Sequence, residues 1–151
     1  RWAGTPRHPG RGEQDLALMP NFYDAIEELP LSFRREQQEL DRAGINRWSS
    51  IRDLTDLQLS QLARSGQASA RNLKRLRGMA DLVCRLNLPP QDAALLMHAG
   101  IATPAALAAC TPERLVRQTG RLERSLGTKR PAVVDLRVAG DWIRRARQLA
   151  N

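Results

Sequence analysis

Leu40-Asp41-Arg42-Ala43-Gly44-Ile45 returns 56 residues later as Leu96-Met97-His98-Ala99-Gly100-Ile101. The same register continues without a gap, laying Ile51 on Leu107, Thr55 on Thr111 and Leu59 on Leu115. A glycine, a helix cap and four apolar positions held in one frame mark an internal repeat, the signature of a duplicated supersecondary unit. Each copy reads as a helix, a Gly-Ile turn, a short helix, a second turn and a long helix. Glycine supplies the left-handed residue at which the chain reverses, and the following isoleucine pins the turn to the core. The register also lays Cys110 on Leu54, so Cys110 is expected to be a small buried hydrophobe.

Working outward, the punctuation is helical. Ser32 is placed to cap a helix through about Ala43, ended by Gly44. Thr55-Asp56 opens another, closing at Gly66. A long helix is expected from about Ala68 to Leu86, with Leu73, Leu76, Ala80 and Val83 on one face, and Pro89-Pro90 stops it. Thr103-Pro104 and Thr111-Pro112 each pair an N-cap with proline at the first helical position, predicting two short helices. Gly120 and Gly127 read as a loop, and Pro131 as the start of a last helix carrying Val134, Val138, Trp142 and Leu149. Residues 1–30, with Pro6, Pro9, Pro20 and Pro30 among Gly4, Gly10 and Gly12, read as an extension or linker. Within it Phe22, Tyr23, Ile26 and Leu29 have the spacing of a short amphipathic turn able to dock on the body.

The expected fold is all-α: a duplicated helix-hairpin-helix (SAM-like) bundle with repeats over 31–88 and 89–151 packed as one body. Its core is expected to hold Leu40, Ile45, Leu59, Leu73 and Leu76 with Leu96, Ile101, Leu115, Val138 and Trp142. Composition agrees. Hydrophobic residues make up 42% of the 151 but aromatics only 4%, so the apolar content is mostly aliphatic and suits helices better than strands.

Composition also narrows the function. Cys84 and Cys110 are too far apart for a paired metal or redox motif and His8 and His98 do not supplement them, so no metal or cofactor is expected. No carboxylate pair is set at helical spacing against a histidine, which argues against an enzyme. His98, before the second Gly turn, suits a surface or capping role. No apolar run approaches the roughly 18 residues of a membrane span, and the start at Arg1 has no secretory character. A soluble, cytoplasmic chain is expected.

The net charge of +8 is unevenly distributed: residues 1–63 hold 8 basic and 10 acidic side chains, residues 64–151 hold 16 and 6. Of the 24 basic residues only Lys74 and Lys129 are lysine. Arginine suits planar recognition of phosphate or carboxylate, and a GC-rich genome gives the same bias without function. On the long helix Arg71, Lys74, Arg75 and Arg85 fall opposite Leu76, Ala80 and Val83, either a phosphate-binding face or a solvated one. In the second copy Arg114, Arg117, Arg121 and Arg124 form one basic stripe only if the helix passes through Gly120.

The first copy carries a resemblance. Arg35, Leu40, Ile45, Ile51, Thr55, Leu59, Gly66, Ser69, Leu73 and Leu76, over roughly 45 residues, resemble the C-terminal domain of the bacterial RNA polymerase alpha subunit. That family binds the DNA minor groove and backbone with an arginine on its first helix and a Gly-x-x-Ser turn before its last, positions matched by Arg35, Gly66 and Ser69. Gln38 stands in place of the family's asparagine and Ala68 in place of a lysine, so the resemblance does not imply promoter recognition. The tandem arrangement resembles a bacterial family of paired helix-hairpin-helix domains of unknown function; such folds also serve proteins with no nucleic-acid role, including an extrinsic photosystem subunit. The expected function is a non-enzymatic grip on duplex phosphate through hairpin turns and basic helix faces, with Arg35, Gln38, Arg42, Gly66, Ser69, Arg71, Lys74 and Arg75 as its residues. The scarcity of aromatics argues against base stacking. The other class is a protein adaptor docking on an acidic or apolar partner surface.

Overall fold

The computed structural model describes residues 23–125 and 134–150. Among them the regular elements are helical, joined by one isolated antiparallel bridge between Ala25 and Arg47. A 3-10 turn, Leu31–Phe33, leads into α1 (Arg34–Arg42). There follow α2 (Trp48–Arg52), α3 (Asp56–Ala63), α4 (Ala70–Leu86), α5 (Pro90–His98), α6 (Pro104–Ala108), α7 (Pro112–Ser125) and α8 (Leu136–Ala150). The bounds of α1 and α2 recur 56 positions on as those of α5 and α6, and α3 and α7 begin in that same register.

The turns recur as well. Gly44 and Gly100 have φ of +75° and +89°. Ile45 N–H donates to Leu40 O at 2.9 Å and Ile101 N–H to Leu96 O at 2.8 Å, closing the same reversal twice. Ile51 and Leu107 are buried at matching places, and the amides of Leu54 and Cys110 donate to their carbonyls. Thr55 forms a full capping box with Gln58, and the Thr111 hydroxyl accepts from Arg114 N–H. In each half the long helix packs on the short one after the Gly-Ile turn, α4 on α2 and α8 on α6. Buried side chains from both halves form one continuous cluster that includes Phe33, Trp48, Leu76, Leu88, Leu96, Leu107 and Ile143.

Several expectations need correction. Ser32 is not a cap; it sits inside the 3-10 turn that Pro30 opens by accepting from Phe33 N–H. The short helix over 48–52 carries no side-chain cap of its own, so the cap signals that reveal α6 do not announce it. The arm around Tyr23 docks, as its apolar residues suggest, but extended rather than as a turn: Ile26 N–H donates to Asn46 O, and Leu29 is buried. Phe22 lies outside the described residues. The helix opened by Pro112 does not break at Gly120 but runs to Ser125. The last helix starts at Leu136, where the Asp135 carboxylate accepts from Val138 N–H. Val134 therefore precedes it, and Gly127 and Pro131 lie outside the described residues. Of the expected core, Ile45 and Val138 are half-buried and the other named residues are buried.

A glycine lets the halves approach closely. A Cβ on Gly78, within α4, would stand 2.5 Å from the backbone oxygen of Ala102, which follows the second Gly-Ile turn. The bare backbone lets α4 approach that turn.

Candidate nucleic-acid interface

The first turn of α4 determines the local geometry. Gly66 takes φ of +82°, exposed and free of contacts a Cβ would meet, so its role is conformational. Ser69 then caps α4, its hydroxyl accepting from Asn72 N–H at 3.0 Å. Behind the cap lies Glu36 of α1, only 3% exposed, whose carboxylate accepts from Ser69 N–H at 2.9 Å and from the Asn72 side-chain amide at 3.4 Å. An acid at a helix N-terminus is favoured by the orphan amides and the dipole, and this one ties α1 to α4.

Above that tie lies an open cleft of about 440 Å³, lined by Ser32, Arg34, Arg35, Gly66, Gln67, Ser69 and Asn72, with Leu31 among its walls and the Glu36 carboxylate, engaged by Ser69 and Asn72, at its base. Three of the expected residues, Arg35, Gly66 and Ser69, are thus brought together, with Arg34 added. Arg71 and Lys74 follow on α4, exposed and with no carboxylate in ion-pair reach among the described residues. Gln38 is exposed on α1 but not part of the cleft lining. Arg42 pairs with Glu39 at 2.9 Å and lines a different cleft with Ile45, Leu54 and Leu62. Arg75 lies half-buried, its guanidinium 5.7 Å from the centre of the Phe33 ring. Phe33 also meets the His98 ring at 6.5 Å, so Arg75 belongs to the packing between halves.

One expected element of the grip is already occupied. A grip on phosphate through the first hairpin turn needs outward-facing amides at the start of α2. Instead Trp48 N–H donates to Asp24 O at 2.7 Å, and Ser49 N–H and hydroxyl donate to the Asp24 carboxylate at 2.9 and 3.1 Å. The N-terminal arm fills that position, and an aspartate in a proline- and glycine-rich stretch gives no sequence signal of such a partner.

Other arginines support the turns, which spacing alone does not reveal. Arg77 donates to Leu54 O at 3.0 Å and to Asp56 at 2.8 Å. Arg147 donates to Ala108 O at 3.0 Å and Cys110 O at 3.4 Å. Leu54 and Cys110 correspond in the 56-residue register, so each long helix sends an arginine to the same turn.

The thiols and the histidine suit structural roles. Burial pushes the Cys84 thiol up to about 11, which leaves little thiolate near neutral pH. Cys110 is buried, and His98 Nδ1 stands 2.8 Å from Ala94 O one turn back. Among the described residues no cluster of three or more His, Cys, Asp or Glu side chains is arranged to hold a metal ion, and no helix is long and apolar enough to cross a membrane.

Searches of curated proteins and of solved structures gave no match. A family model described as Domain of unknown function (DUF4332) matches residues 30–149.

Proposed function

We propose that this chain, which belongs to the DUF4332 family, is a non-enzymatic nucleic-acid-binding protein built as a duplicated helix-hairpin-helix bundle. It grips the phosphate backbone of a duplex without reading bases. The observation that carries this reading is the convergence of Arg34 and Arg35 with the Gly66 and Ser69 turn on one open cleft. Arg71 and Lys74, with no carboxylate in ion-pair reach among the described residues, stand on the helix that the turn begins. With Asp24 on the α2 amides and Glu36 on the Ser69 amide, the grip comes mainly from side-chain cations. Such contacts position a protein on nucleic acid while carrying little sequence information.

A second reading, a protein adaptor, is favoured by Leu31, 81% exposed on the same cleft. An apolar residue beside a cationic groove suits an acidic partner with an apolar anchor.

Equilibrium binding of the full chain to short duplexes of unrelated sequence, across a salt series, tests the proposal. The expected result is similar affinity for each sequence and a linear fall of log K with log salt, of slope about −0.9 per phosphate contacted. Absence of binding at low salt would transfer the cleft to the adaptor reading.

A further inference from the structure

The clearest difference between the expected and observed second half is the continuity of α7. Because the helix runs unbroken through Gly120, Arg114, Arg117 and Arg121 fall within about 60° of one another on its surface, at 100° per residue. All three are exposed, and none has a carboxylate in ion-pair reach among the described residues. The buried side of the helix holds Leu115 and Thr119, whose hydroxyl turns back to Leu115 O at 2.9 Å.

We propose that this face of α7 is a second contact for duplex phosphate, additional to the cleft between α1 and α4. The inference rests on the nucleic-acid reading above. Some arginines elsewhere have a visible use within the chain: Arg77, Arg145 and Arg147 hold backbone carbonyls, Arg42, Arg52 and Arg144 pair with carboxylates, and Arg75 covers Phe33. The α7 stripe, like Arg35 and Arg71 of the first contact, has no such partner among the described residues.

It also runs against the preferences of an isolated helix. Arg114 sits in the first turn, the wrong end of the dipole for a cation, and Arg117 and Arg121 are like charges one turn apart, a pattern that Glu113 in the first turn offsets only in part. A helix needing only solubility is better served by interspersed signs. An external polyanion removes both penalties. From Arg114 to Arg121 the helix rises about 10 Å, a length over which a duplex presents about six charges.

The test is the same salt series on full-length R114Q/R117Q/R121Q, glutamine being nearly as good a helix former as arginine, alongside R114K/R117K/R121K. The glutamine variant should keep the parent's circular dichroism, lose affinity by about tenfold or more near 0.1 M salt and flatten the slope by up to about three contacts. The lysine variant should restore most of both. A glutamine variant that matches the parent, while R35A/R71A weakens binding, would overturn this contact and leave the α1–α4 cleft standing. A lysine variant as weak as the glutamine one would also overturn it, since charge would not be the cause. Failure of the parent to bind at low salt would overturn both proposals.

Discussion

The two halves close the same reversal by different means. In the second, Thr103 caps α6 from within its own turn, its hydroxyl accepting from Ala106 N–H at 3.0 Å. In the first, the corresponding N-cap is Arg47, which has no oxygen to offer, and Asp24 reaches in from the N-terminal arm instead. Backbone geometry survives this exchange because the Gly-Ile turn and the buried Ile51 and Leu107 set it. Polar closure is therefore interchangeable, provided some acceptor meets the orphan amides. One consequence is that the arm is structurally part of the first half.

The comparison breaks most visibly in the core. Ile101 is 5% exposed whereas Ile45 is half-buried beside an open cleft. Ile101→Ala should cost about 2–5 kcal/mol, and Ile45→Ala clearly less, by denaturant unfolding; equal costs would contradict the observed asymmetry.

Next come the long helices. Gly78 is pressed against Ala102 O, whereas a Cβ on Gly140 in α8 would meet nothing within 4 Å. Gly78→Ala is expected to destabilise by about 1–3 kcal/mol through overpacking, although alanine returns about 1 kcal/mol of helix propensity. Gly140→Ala should stabilise by up to about 1 kcal/mol. Opposite signs in thermal unfolding are the expected result.

The caps give a smaller contrast. Asp24→Ala removes a charged acceptor from Ser49 and should cost about 1–2 kcal/mol, against about 1 kcal/mol for Thr103→Ala. Hydrogen exchange should localise the Asp24 loss to the amides at the start of α2. Protection unchanged at Ser49 would show that the arm does not cap that helix.

How much of this was legible in the sequence follows from the range of the forces. The Gly-Ile turns, the threonine caps at 55, 103 and 111 and the apolar face of α4 are local, and each was readable from spacing. Gly120 misled because tertiary packing of Leu115 and Thr119 outweighs one glycine's weak helix propensity. Asp24, Glu36 and Arg147 act across 25 to 39 residues, beyond any periodicity. Within the candidate interface, the resemblance to the polymerase alpha-subunit domain singled out Arg35, Gly66 and Ser69, which line one cleft, yet nothing in the sequence showed that Arg42 and Arg75 are held by Glu39 and Phe33.

The smallest expected effect on folding belongs to the variant that bears most directly on function. Arg35 and Arg71 are exposed and hold no carboxylate among the described residues, so R35A/R71A should unfold at nearly the parent's midpoint. Its duplex binding, measured across a salt series of about 50–200 mM, should be weaker and its log–log slope shallower by up to about two contacts. A double variant with the parent's affinity and slope, or a parent that fails to bind duplex at low salt, would contradict the assignment of the α1–α4 cleft to phosphate.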